Sequence, residues 1–171
     1  MTLDDLSRRL RRFADGELTL EALRASFIPA LEADPLDVTL SDSAPWDREP
    51  ENARLYWRLI HRFDTAELAD EPRFRRLAHR LAGAMADAGS ATTLELFVLL
   101  EDQERFCTIV QRHVAGIISR TGFLSVIAES GYPPHVKLWL QHATPDPLTR
   151  LCAALDAGRY AEAATMVERA P

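Results

Sequence analysis

Apolar residues recur three or four positions apart along nearly the whole chain, and no stretch alternates apolar and polar residues between turns as a half-buried strand would. That period fixes the expected fold class: all-α, a single-domain array of about eight or nine helices across residues 1–171. In the first helix Thr2 stands three residues before Asp5 as a capping pair, and Leu3, Leu6, Leu10 and Phe13 form an inward stripe that Gly16 closes. Thr19 caps a second helix striped by Leu20, Leu23, Phe27 and Leu31, which Pro29 should kink or split because proline removes a backbone donor and clashes with the preceding turn. The spacing returns with Leu55, Tyr56, Leu59, Ile60 and Phe63, then with Phe74, Leu77, Leu81 and Met85. The stretch ADAGSATT interrupts it, and Thr92 with Glu95 reads as a T-x-x-E capping box for the most apolar helix. That helix runs on or bends near Glu101 into a stripe of Phe106, Ile109, Val110, His113 and Ile117. Short helices are expected at about 123–130, 134–143, 147–157 and 159–170.

Between the second and third helices the pattern fails. Residues 33–50, ADPLDVTLSDSAPWDREP, contain three prolines and no lasting period, and read as a long loop. The net charge of −6 is concentrated there: residues 32–51 hold seven acids and one base, while the rest of the chain carries acids and bases in equal number. A chain this long buries roughly 70 % of its unfolded surface without a metal or disulfide. Its longest nearly uncharged apolar run, Leu94–Leu100, is far short of the roughly 20 residues of a membrane span. The N-terminus lacks the apolar core of a secretory signal, so the expected compartment is the cytoplasm, with no membrane association. Cys107 and Cys152 lie in apolar helical contexts and read as two buried, reduced thiols.

The closing stretch carries one resemblance. Gly158, Tyr160, Ala163, Val167 and Ala170 are similar in spacing to the second half of a tetratricopeptide unit, where a glycine turn precedes tyrosine and small residues that let helices approach closely. The helix before Gly158 offers Leu148, Leu151 and Leu155 in place of that family's aromatic residue and Leu-Gly pair. No second copy follows the family's period, although GELTLEALRASF at Gly16–Phe27 loosely echoes a turn followed by a helix. The resemblance implies a diverged helical-repeat arrangement; packing alone implies a terminal hairpin that closes the globule.

Charge segregation supplies the candidate site. Arg54, Arg58 and Arg62 share one helix face by their four-residue spacing, and the next helix adds Arg73, Arg75, Arg76, His79 and Arg80. Trp46 sits among Asp42, Asp47 and Glu49, an aromatic anchor ringed by charge of the kind found at protein interfaces. Trp46, Asp42, Asp47, Glu49, Arg54, Arg58, Arg62, Arg73, Arg76 and Arg80 are therefore the expected partner-binding residues of a non-catalytic interaction module, an adaptor or an inhibitor-type protein. Internal pairing of the acidic loop with the basic face is the competing use of the same charges. Two alternatives belong to other classes of partner. Residues 119–143 resemble a DNA-binding helix-turn-helix around Gly131, though they offer only Arg120 and Lys137 as fixed cations. A small acidic helical protein could also neutralise a basic toxin or nuclease, as immunity-type inhibitors do. Catalysis is not expected: the chain has no phosphate-binding glycine loop, no H-E-x-x-H and no G-x-S-x-G, and no cofactor or metal is implied by its five histidines or by Glu95, Glu101 and Glu104.

Overall fold

The computed structural model describes residues 1–29 and 50–168. Among these are nine α-helices: α1 Leu3–Ala14, α2 Leu20–Ala25, α3 Pro50–Asp64, α4 Glu71–Glu101, α5 Gln103–Val114, α6 Arg120–Glu129, α7 Pro134–His142, α8 Pro145–Asp156 and α9 Tyr160–Glu168. The all-α class is thus confirmed, with no strand among the described residues. The helices group into two compact units, Met1–Leu94 and Glu95–Pro171, each with its own core.

In the first unit α1 begins on the expected capping box. The Thr2 hydroxyl accepts from the Asp5 N–H at 3.2 Å, and the Asp5 carboxylate accepts from the Thr2 N–H at 3.0 Å. This satisfies two donors that a helix start leaves unpaired. Leu6, Leu10 and Phe13 are buried, each contributing about 1.5–3 kcal/mol by leaving water. Thr19 caps α2 by accepting from the Ala22 N–H at 3.1 Å. That helix stops at Ala25, and the Ser26 hydroxyl donates to the Leu23 carbonyl at 2.6 Å. The split thus falls three residues ahead of Pro29. Phe27 is buried just beyond it. Phe13, Phe63 and Phe74 meet edge to face, at centroid separations of 6.2 and 5.6 Å, and join α1, α3 and α4. The long α4 is interrupted at Gly89, whose φ of 79° and ψ of 176° are not helical. The break therefore precedes the expected T-x-x-E box: Thr92 lies inside the resumed helix, and the hydroxyl of buried Thr93 donates to the Gly89 carbonyl at 2.7 Å.

In the second unit α5 lies against α6 and α8, α6 against α7, and α9 against both α7 and α8. Phe106, Val110, Phe123, Ile127, Val136, Leu140, Leu148, Leu151 and Leu155 fill its core. Pro134 and Pro145 open α7 and α8 at a position where a missing N–H costs nothing. Tyr132 is buried, meets the Phe106 ring edge-on at 5.9 Å and donates its hydroxyl to Asp102 at 3.1 Å. Ile117, expected on the inward stripe, is outside: it is 70 % exposed because α5 ends at Val114 and the chain reverses at Gly116. Leu138 is also exposed, at 45 %, because the helical period turns Val136, Trp139 and Leu140 inward and leaves it on the opposite side.

Candidate interaction groove

Arg75, Arg76, His79 and Arg80 of α4 stand together, and Arg75 reaches the turn between α1 and α2. Gly16 reverses the chain there at a φ of 83°, a conformation other residues adopt only with strain. The Phe13 carbonyl accepts from the Gly16 N–H at 3.1 Å and keeps a second lone pair, and it and the Leu18 carbonyl face an outside donor. Arg75, one turn into α4, supplies it: one guanidinium nitrogen donates to Phe13, the other to Leu18 at 3.2 Å and to the Glu71 carboxylate one turn earlier. Its guanidinium also lies 4.6 Å from the centre of the Phe13 ring. Arg75 is therefore a clamp, with its charge shared between Glu71 and two backbone dipoles.

Beside this clamp Ala14, Arg75, Arg76, His79 and Arg80 line an open groove of about 380 Å³, with no carboxylate among the described residues that line it. Arg76 and Arg80 are four apart on α4 and share a face, and Arg76 donates to the Pro72 carbonyl at 3.2 Å. Ala14 matters by being small, since a longer side chain at the end of α1 would occupy the groove. Three guanidinium groups line this one concavity, Arg75 already paired with Glu71, on a protein whose net charge is −6. Guanidinium groups suit a carboxylate-rich or phosphate-bearing ligand, which arginine can hold in two-pronged hydrogen bonds.

The expected site residues divide accordingly. Arg76 and Arg80 are in the groove. Arg62 turns to stack over Phe74 at 4.6 Å, while Arg54, Arg58 and Arg73 are exposed and do not line it. Trp46, Asp42, Asp47 and Glu49 lie outside the described residues. The sequence pattern grouped Arg75 with its neighbours but gave no sign of its clamping role, and Ala14 carried no signal.

The other candidates fare differently. In the helix-turn-helix-like segment the two cations are spent on backbone carbonyls at the helix ends. Arg120 donates to Gln141 at 2.6 Å, near the end of α7, and Lys137 donates to Ala128 at 2.8 Å, near the end of α6. Each helix of the pair thus caps the other's C-terminus with a positive charge, where the helix dipole favours it. His113 is half-buried; its Nδ1 lies 3.1 Å from the Ile118 carbonyl, and its ring stacks on Phe123 at 4.7 Å. A second groove, about 600 Å³, runs beside Trp139, Pro147 and Met166 with Arg150, Glu162 and Thr165 at its sides, so it carries both signs of charge. Among the described residues no three His, Cys, Asp or Glu side chains are placed to hold a metal ion, and no helix is long and apolar enough to cross a membrane. Comparison with protein-family models, with curated proteins and with solved structures returns no match to this chain.

Proposed function

We propose that the protein is a non-catalytic interaction module of the cytoplasm, an adaptor or regulatory protein, whose first unit seats an acidic stretch of a protein partner in the groove of Ala14, Arg75, Arg76, His79 and Arg80. The observation that carries this reading is the concavity in which Arg76, His79 and Arg80 stand beside Arg75, whose own donors go to Phe13, Leu18 and Glu71 and fix that wall of the groove. The exposed Arg54, Arg58 and Arg73 extend the positive field along α3 and α4, which would speed encounter and would be screened by salt. A partner contact through Trp46 and its acidic neighbours is a separate element of the same proposal.

The test is direct binding of a fluorescent, aspartate- and glutamate-rich peptide, followed by anisotropy at increasing salt. Wild-type protein should bind and release the peptide as salt rises. Arg76→Glu with Arg80→Glu should weaken binding at least about tenfold, equivalent to about 1.4 kcal/mol. Equal affinity of the reversed variant sinks the groove assignment. Tighter, steeply salt-dependent retention of duplex DNA by the wild type would move the partner to nucleic acid. Trp46→Ala with Asp47→Ala, at unchanged thermal stability, checks the acidic element separately.

A further inference from the structure

We infer that Cys107 and Cys152 form a dormant dithiol in the second unit, closing to an intramolecular disulfide when a peroxide oxidises the protein.

The chain has only two cysteines, and they come from helices that pack on each other, α5 and α8. The register of that pair is set one turn away. Gln103, four residues before Cys107, donates its side-chain amide to Asp156, four residues after Cys152, at 2.9 Å. Residues four apart on a helix share a face, so antiparallel helices that match 103 with 156 also match 107 with 152. Cys107 is the strongest influence on the Cys152 thiol, as neighbours across this register must be, and both residues are buried with 6 % of their surface exposed. A buried residue touches roughly 6–12 others, so two cysteines placed without regard to each other would rarely be neighbours. The seam they occupy is also polar in an interface otherwise built of Phe106, Val110, Leu148, Leu151 and Leu155: Gln103 is buried there with its carbonyl oxygen unpartnered. Covering a seam of this kind with leucine would serve packing better than two thiols and an unsatisfied amide do.

Donation of its S–H toward Cys107, then burial, push the Cys152 thiol up, so it stays protonated and unreactive at neutral pH. The pair is accordingly quiet under reducing conditions and responds to a strong or sustained oxidant. One thiol gives a sulfenic acid and one water as the peroxide O–O bond breaks; the second thiol then attacks that sulfur, forming the S–S bond and releasing a second water. Two thiol hydrogens and two electrons leave the protein. The product ties α5 to α8.

The experiment treats the native full-length chain with hydrogen peroxide and measures intact mass, thiols reactive to maleimide after denaturation, and mobility on a non-reducing gel. The expected product is a monomer lighter by two hydrogens, with both thiols lost together, both restored by dithiothreitol, and a urea unfolding midpoint above that of the reduced protein. Cys107→Ala and Cys152→Ala should each retain one reactive thiol and show no such midpoint rise. Independent oxidation of one cysteine, disulfide-linked dimers as the main product, or two intact thiols after a dose that fully oxidises the urea-unfolded chain would each overturn the inference.

Discussion

Arg75 is the side chain on which the local architecture of the groove depends most, and its replacement by methionine isolates that dependence. Methionine keeps the length and the apolar contact with Phe13 but removes the donors to the Phe13 and Leu18 carbonyls. A hydrogen bond from a charged donor is worth about 1.5–3 kcal/mol net, and two that share one part-exposed guanidinium fall at the lower end. The Glu71 ion pair, with each side chain about a quarter exposed, adds about 0.5 kcal/mol, and the stacking on Phe13 about as much again. Solvent can satisfy part of what is lost, so the expected total is about 3 kcal/mol. With a urea slope of about 2 kcal/mol/M, the unfolding midpoint should fall by about 1.5 M at unchanged slope, read by far-ultraviolet circular dichroism. Arg75→Lys should fall between, because a single ammonium cannot reach both carbonyls in the arginine's forked geometry. A loss below about 1 kcal/mol for Arg75→Met would show that the turn holds itself, and that Arg75 is a groove charge rather than a clamp.

Three further outcomes are expected. The Asp5 carboxyl should titrate at about 2, below its ordinary 3.8, because the Thr2 N–H, the Thr2 hydroxyl and Arg8 favour its charged form; its stabilising contribution is complete above pH 3.8 and disappears as pH falls through 2, which carboxyl NMR and acid unfolding can follow together. Tyr132 is buried against the Asp102 carboxylate, both of which push its phenol up, so it should stay protonated until alkali unfolds the chain; Tyr132→Phe should remove that late ultraviolet step and cost about 1 kcal/mol. Gly116→Ala should destabilise by about 1–2 kcal/mol in urea titration through its positive φ alone, since an added methyl would meet nothing within 4 Å; a neutral result would mean the turn can change conformation.

What the sequence made legible was local. The capping pairs Thr2–Asp5 and the Thr19 cap are decided within four residues, and the stripes of α1, α3 and α8 follow from one period. The break before the apolar half of α4 falls inside the expected ADAGSATT stretch, but at Gly89 and not at a Thr92 cap, because Thr92–Glu95 fits a capping pattern equally well in a helix interior. Only Gly89, the one residue of that stretch able to hold a positive φ cheaply, decides where the chain bends. The groove was half legible. A four-residue arginine spacing names a face, but whether that face meets another element depends on contacts such as Arg75 with Phe13, sixty-two positions apart in sequence. Arg62 shows the same limit: its spacing matches Arg54 and Arg58, yet the nearby Phe74 ring draws it out of their company.

The faint echo between the closing stretch and Gly16–Phe27 has a concrete basis, which is a turn built three times. At Gly16, Gly116 and Gly158 the glycine N–H donates to the carbonyl three residues back, and the next N–H donates to the carbonyl five back, at Arg12, Arg112 and Ala154. This is the hydrogen-bond pair with which a left-handed glycine satisfies the last carbonyls of a helix. The first two turns continue alike, with Thr19 and Ser119 capping the following helix through the N–H three residues on. Their flanks match as well: Leu6, Leu10, Leu23 and Phe27 are buried in one hairpin, Phe106, Val110, Phe123 and Ile127 at the same register in the other. Folding therefore requires the glycine, the cap and those four apolar positions, and it leaves the rest of each hairpin to be set by something else. Ala14 in the first hairpin and Val114 in the second occupy equivalent places, as do Glu17 and Ile117. The small residue opens the arginine groove; the larger one would narrow it. A chain that repeats its scaffold yet varies these positions separates what holds the fold from what shapes its surface, and by that division the groove belongs to the surface that folding alone does not dictate.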